Sequence, residues 1–139
     1  MVILFDTCII LDHLLSREPF NKTSREVLKL SGQLRFDGLV TVKSMADIHY
    51  ILKRNLLDEE RVRKVMHNLL QIVGVVDSAT IDMYSALSSN TNDFEDALLM
   101  ETANRIHADY IVTRNLKDFK NSKVPAILPQ KLIELIPEY

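Results

Sequence analysis

Carboxylates supply most of the chemistry open to this sequence, and they fall at particular places. Asp6 closes the apolar run Val2–Phe5, and Asp93, Glu95 and Asp96 crowd into four residues of TNDFEDALLMETANRI. Asp47 lies in KSMADIHYIL, while IVTRNLKDF carries the polar pair Thr113 and Asn115 and, one helical turn on, Asp118. Converging carboxylates repel, and raise each other's pKa unless something positive sits among them. Hard cations such as Mg²⁺ and Mn²⁺ answer that need with oxygen ligands while keeping several waters. Ions held in this way activate water and stabilise an in-line displacement at phosphorus.

Each acid also has a plainer role. Asp6 can cap the helix that follows it, and position alone leaves both readings open. Acids in a first turn complement the helix dipole, but one cap does not need three of them. Asp93 is therefore assigned to capping and Asp96 to the site, because Ala97, Leu98 and Leu99 bury the helix beneath it. Glu95 is expected to face solvent or an outer shell. Thr113 and Asn115 can equally be turn residues, with Phe119 plugging the core behind them. Asp47, expected to face away from Ile51 and Leu52, is an ordinary surface acid unless the fold brings it to the others.

Other chemistries have less support. The histidines, His13, His49, His67 and His107, are scattered without paired ligand spacing. One cysteine, Cys8, permits neither an internal disulfide nor a multi-cysteine zinc site, and it fits a reducing cytoplasm. Met45, Met66, Met83 and Met100 read as core filler. With 47% apolar and 26% charged residues and a net charge of −2, the chain announces no strong basic field. An acidic metal pocket is compatible with that balance, because the ions bring positive charge with them. The opening MVILFDTCIILDHLL lacks a basic leading region and is interrupted by Asp6 and Asp12, so it does not read as a signal peptide. No apolar run reaches the ~18 residues of a membrane helix, and a soluble, cytoplasmic protein is expected.

The elements that must position these residues alternate. The strand over Val2–Phe5 precedes a helix from about Cys8 to Leu15, stopped near Pro19, and Thr23 or Ser24 is expected to cap the next. A strand over Phe36–Val42, bent at Gly38, leads into two helical patterns broken near Leu57–Asp58. A third strand covers Ile72–Val76, and Ser78 is expected to cap a helix over Ile81–Leu87. Asp93 opens a helix through Ile106, strands follow at Tyr110–Thr113 and Val124–Leu128, and Pro129 starts a final helix. Short apolar strands alternating with helices predict a mainly parallel sheet of four to five strands between two helical layers, in one domain spanning residues 1–139. Such folds gather sites at the carboxyl ends of their strands, where Asp6 and Thr113 fall.

These motifs resemble the PIN-domain family, most closely the VapC-like toxins of toxin–antitoxin pairs. FDTCIILDHLL is similar to the family's opening and DFEDALLMETANRIHADYIVTRNLKDF to its second half, with SMADIHYIL a weaker match. The resemblance spans nearly the whole chain. It makes Asp6, Asp47, Asp96 and Asp118 the catalytic acids, with Asp6, Asp96 and Asp118 on the metal and Thr113 and Asn115 as supporting polar groups. Two positions depart from the family: Asp47 stands where glutamate is usual and is one methylene shorter, which leaves its contact with the metal open, direct or through water, and Cys8 stands where asparagine is commoner. The resemblance implies an endoribonuclease using Mg²⁺ or Mn²⁺ on single-stranded or looped RNA, leaving a 3′ hydroxyl. It implies a homodimer silenced by an antitoxin protein, with RNA contacts from Arg114, Lys117, Lys43 and Arg54 to phosphates.

Two enzyme and signalling patterns fit less well. A receiver domain wants an acidic pair after the first strand, where Asp6 is followed by Thr7. A haloacid-dehalogenase phosphatase needs a second aspartate where Cys8 stands. The remaining rival is a catalytically inactive PIN fold acting as a nucleic-acid or protein binding module, which retention of all four acids opposes.

Overall fold

The computed structural model describes residues 1–56 and 58–138. Its elements run β1 (Val2–Phe5), α1 (Thr7–Leu14), α2 (Asn21–Gly32), β2 (Asp37–Thr41), α3 (Val42–Leu56), α4 (Glu59–Leu69), β3 (Gly74–Val76), α5 (Thr80–Leu87), α6 (Phe94–Arg105), β4 (Tyr110–Val112), a 3₁₀ turn (Leu116–Phe119), β5 (Ala126–Ile127) and α7 (Pro129–Leu135). All strand pairings are parallel, in the order β3-β2-β1-β4-β5. This is the α/β fold that the alternating pattern predicts.

Successive strand residues point to opposite faces, and here both faces are covered, which explains the unbroken apolar runs. Ile3 and Phe5 enter one core with Ile9, Val27, Ile48, Val62 and Leu132, which come from α1, α2, α3, α4 and α7. Leu4 and Ile111 enter the other, against Leu99, Met100 and Ala103 of α6. Phe119 plugs that second core, 2% exposed, as expected. Burying a side chain of this size contributes about 2 kcal/mol, so β1, whose Ile3, Leu4 and Phe5 are wholly buried, anchors the sheet.

Several local expectations are corrected. Gly38 is no bend: it lies inside β2, where an added Cβ would stand 2.2 Å from Ser31 Oγ and 2.9 Å from the Phe5 ring. Glycine is required there by the close approach of α2. Neither Thr23 nor Ser24 caps α2, which starts a turn earlier after Phe20, and Ser24 is buried within it. At α5, Ser78 makes no cap. Instead Asp82, on the third helical residue, accepts the Ala79 amide at 2.9 Å. Met83 is not core filler but 37% exposed, because α5 buries little beyond Asp82 and Ala86. Of the expected break near Leu57–Asp58, Leu57 lies outside the described residues, while Asp58 caps α4 by accepting the Glu60 amide at 3.1 Å.

Topology fixes where a site can form. From β1 the chain winds outward to β2 and β3, then returns to build β4 and β5 on the other side. Strand order therefore reverses between β1 and β4, and a crevice opens beyond the carboxyl ends of those two strands. The residues that follow them are Asp6 and Thr113.

Candidate active site

Asp6 leaves β1 with its amide bonded to the Val112 carbonyl, so its backbone is still held by the sheet. Its Oδ2 accepts from Thr113 Oγ1 at 2.8 Å and from the Cys8 thiol at 3.4 Å. Thr113, fully buried, in turn accepts the Asn115 amide at 3.0 Å. Burial pushes the Asp6 carboxyl above its ordinary pKa, against the lowering effect of the Thr113 and Cys8 bonds. Burial, then the charge of Asp6, pushes the Cys8 thiol up to about 12. It keeps its proton and acts as a donor, the service an asparagine amide would give at that position.

Asp96 comes from the first turn of α6, whose N-cap Asp93 accepts the Asp96 amide at 3.0 Å. Asp93 is thus the cap that its position predicts. Burial raises the Asp96 carboxyl to about 6, helped by the charges of Asp93, Asp6, Asp118 and Glu95 in that order. Three acids from distant stretches of chain therefore feel one another. Asp6 and Asp96 line a groove of about 430 Å³, which also takes in Asp47 and Glu95. Asp96 stands on its border as well, sharing a second hollow with Asp93, Lys117 and Asp118.

The facing wall of the groove is α3. Asp47 does not turn away from Ile51: the two, four residues apart, share one face of the helix and both line the groove. Leu52 and Ile48 take the opposite, buried face. Lys43 donates to Asp47, and to Glu95 at 3.2 Å, tying α3 to α6 across the opening. Glu95 keeps a largely exposed side chain, as expected.

The sequence reading missed a hydroxyl chain beneath these acids. Thr41, at the end of β2, accepts the Ser44 amide at 2.9 Å, the bond of a helix cap. Its hydroxyl also meets Ser44 Oγ at 3.1 Å, and Thr7 Oγ1 donates to the same Ser44 oxygen at 3.0 Å. Thr7, Thr41 and Ser44 line the groove. Threonine at a strand end with serine three places on was the available signal. Also missed was Asp12, wholly buried, which accepts from Arg114 Nε at 2.8 Å and Nη2 at 3.2 Å. Arg114, expected to meet phosphate, has these donors engaged inward and lies 4.4 Å from the Phe20 ring centroid. Lys117 and Asp118 are exposed beside the second hollow.

The donor set suits a hard divalent ion, since carboxylates from distant stretches of chain converge at the crevice, where burial and then their charges raise Asp96. Among the described residues no three acids, histidines or cysteines stand close enough to cage an ion on their own. Mg²⁺ does not require a cage, because one or two carboxylates with water completing the shell suffice.

The sequence model of the PIN domain matches residues 2–117, and the chain belongs to that family. No curated protein matches it in sequence. The fold is similar to a chain in the Rickettsia felis VapBC2 complex bound to a promoter DNA fragment, at a TM-score of 0.72 and 15% identity, covering 92% of this chain and 98% of that one. A Klebsiella pneumoniae toxin–antitoxin complex gives 0.67 at 18% identity, over 91% and 97%. The DNA-bound Salmonella typhimurium VapBC complex gives 0.67 at 16%, over 93% and 98%. No helix among the described residues is long and apolar enough to cross a membrane.

Proposed function

We propose that this chain is a metal-dependent endoribonuclease and the toxin of a toxin–antitoxin pair. The observation that carries the reading is the meeting of Asp6 and Asp96 in one groove at the switch point, with the Asp96 carboxyl raised to about 6. A carboxyl raised by burial and by neighbouring carboxylates is one that a nearby cation would stabilise in its charged form. Asp6 and Asp96 would hold Mg²⁺ or Mn²⁺, with Asp118 on the outer side and Asp47 reaching it through water. The ion, when bound, activates water and neutralises charge developing on phosphate.

The chain's own groups supply the rest. Thr113 and Cys8 fix the Asp6 carboxylate, so it meets its ligand already oriented. Asn115 fixes Thr113. Lys43 draws Asp47 toward the groove, and Lys117 offers a cation on the far side of Asp96. The solved structures of similar fold are toxin–antitoxin complexes, which favours an antitoxin protein as partner and, with it, a homodimer working on RNA in the cytoplasm.

A second reading is a binding module without catalysis. It is favoured by the lysine lodged between Asp47 and Glu95, a cation that already offsets part of the acidic charge. One experiment separates the two: incubation of the purified chain with mixed single-stranded and structured RNA in Mg²⁺, Mn²⁺ or EDTA, beside Asp6→Asn and Asp96→Asn. Metal-dependent cutting lost in both variants supports the nuclease. Absence of cutting, with no metal binding by calorimetry, favours the module.

A further inference from the structure

Lys43, Asp47, Tyr50 and Arg54 follow one another along α3 at intervals of four, three and four residues, and all line the groove that holds Asp6 and Asp96. Such spacing makes one stripe of the helix, running about 16 Å from the first residue to the last. The acids of this groove repel a phosphate chain, so whatever grips a strand must stand beside them. Lys43 is occupied by two carboxylates. Arg54 makes no ion pair among the described residues, and its guanidinium carbon lies 5.8 Å from the centroid of the Tyr50 ring. Tyr50 is 62% exposed, and its hydroxyl has no hydrogen-bond partner among the described residues.

A lone exposed tyrosine needs no explanation. This one presents a flat aromatic face inside a cleft, with a free cation one turn beyond it and carboxylates opposite. Stacking on an aromatic ring beside a cation is how unpaired bases are held without regard to sequence. We propose that Tyr50 and Arg54 form a subsite for one unpaired base of a single RNA strand and its phosphate, the base stacked on Tyr50 and the phosphate on Arg54. The subsite sets the neighbouring phosphate over Asp6 and Asp96. A duplex keeps its bases stacked on one another and offers no face to the ring, so the subsite selects single strands and loops. The inference rests on the ribonuclease reading and adds the residues that choose the substrate.

The test uses short single-stranded oligoribonucleotides with 2-aminopurine placed in turn at each position. They are titrated with the Asp96→Asn protein and with the same protein carrying Tyr50→Ala or Tyr50→Phe. Expected are quenching at one position with tyrosine or phenylalanine, and loss of that quenching in the alanine protein with binding roughly 5- to 100-fold weaker. Equal affinity and equal quenching in the alanine protein, or no binding by any of them, overturns the proposal. Cleavage kinetics separate it from the function it rests on. If Tyr50→Ala cuts with unchanged KM, the subsite is wrong and the nuclease stands. If Tyr50-dependent quenching appears but the wild-type chain cuts nothing in Mg²⁺ or Mn²⁺, the nuclease is wrong and the subsite stands.

Discussion

Arg114 holds the wholly buried carboxylate of Asp12 through two nitrogens, at 2.8 and 3.2 Å, from the residue directly after the threonine that orients Asp6. The pair ties the end of β4 to α1, so the loop carrying Thr113 and Asn115 is clamped from behind. Arg17, at 3.7 Å, is a looser second partner for the same acid. Removing one member of a buried pair leaves the other uncompensated, which costs about 3–5 kcal/mol. Because Arg17 still partners Asp12, Arg114→Met is expected to lose less than that, about 1.5–3 kcal/mol in urea denaturation. Arg114→Lys should recover only part, because a lysine cannot reproduce the forked contact. A loss under 1 kcal/mol for the methionine variant would show that the clamp contributes nothing.

A second expectation concerns pH. In the folded chain the Asp96 carboxyl is raised to about 6, so between roughly pH 4 and 6 the native state binds more protons than the unfolded chain. Stability therefore falls as pH rises through that window in metal-free solution. Asp96→Asn removes the effect. Its stability relative to wild type should climb from pH 4 to pH 7 by about 1 kcal/mol, a figure kept small because the groove is open to solvent screening. Parallel pH profiles for the two proteins would contradict a raised Asp96 carboxyl.

Divalent ions should reverse the same penalty. At ten times its dissociation constant an ion that binds only the folded chain adds about 1.4 kcal/mol. Mg²⁺ or Mn²⁺ is expected to raise the melting temperature of the wild-type protein, with little effect on Asp6→Asn or Asp96→Asn. Equal shifts in all three proteins would place the ion elsewhere.

Cys8 offers a chemical probe. A thiol held up to about 12 has almost no thiolate at neutral pH. Iodoacetamide at pH 8 should label it about a hundred-fold more slowly in the folded chain than in urea. Cys8→Ser, which keeps a donor toward Asp6, should preserve cleavage better than Cys8→Val. Rapid labelling of the folded protein would mean that the thiol does not serve Asp6.

Much of this was legible in the sequence, because apolar runs buried on both faces allow few arrangements. β1, β4, α6 and α7 lie within a residue or two of their expected places, and Asp93 caps as its position predicts. Less legible was whatever depends on distant neighbours. The need for glycine at position 38 is set by Ser31 on α2, and the burial of Asp12 by Arg114, 102 residues away. The Thr7–Ser44–Thr41 chain joins the start of α1 to the β2–α3 junction by hydroxyls that are individually ordinary. Asp47 was misplaced for a simpler reason, since its helical neighbour Ile51 is apolar and packs against the core yet also borders the groove.

The central place of β1 bears on how the molecule comes into being. As the chain is made, Asp6 emerges 107 residues ahead of the hydroxyl that orients it, at the end of β4. Until β4 slots in beside β1, that carboxylate has no Thr113, α6 lacks its contact with Ile111 and the crevice has only one side. Pairings of such sequence separation form slowly. A nascent chain thus lacks its finished crevice until β4 has been made, and anything that intercepts β4 before it docks would keep Thr113 from Asp6 without touching an acid.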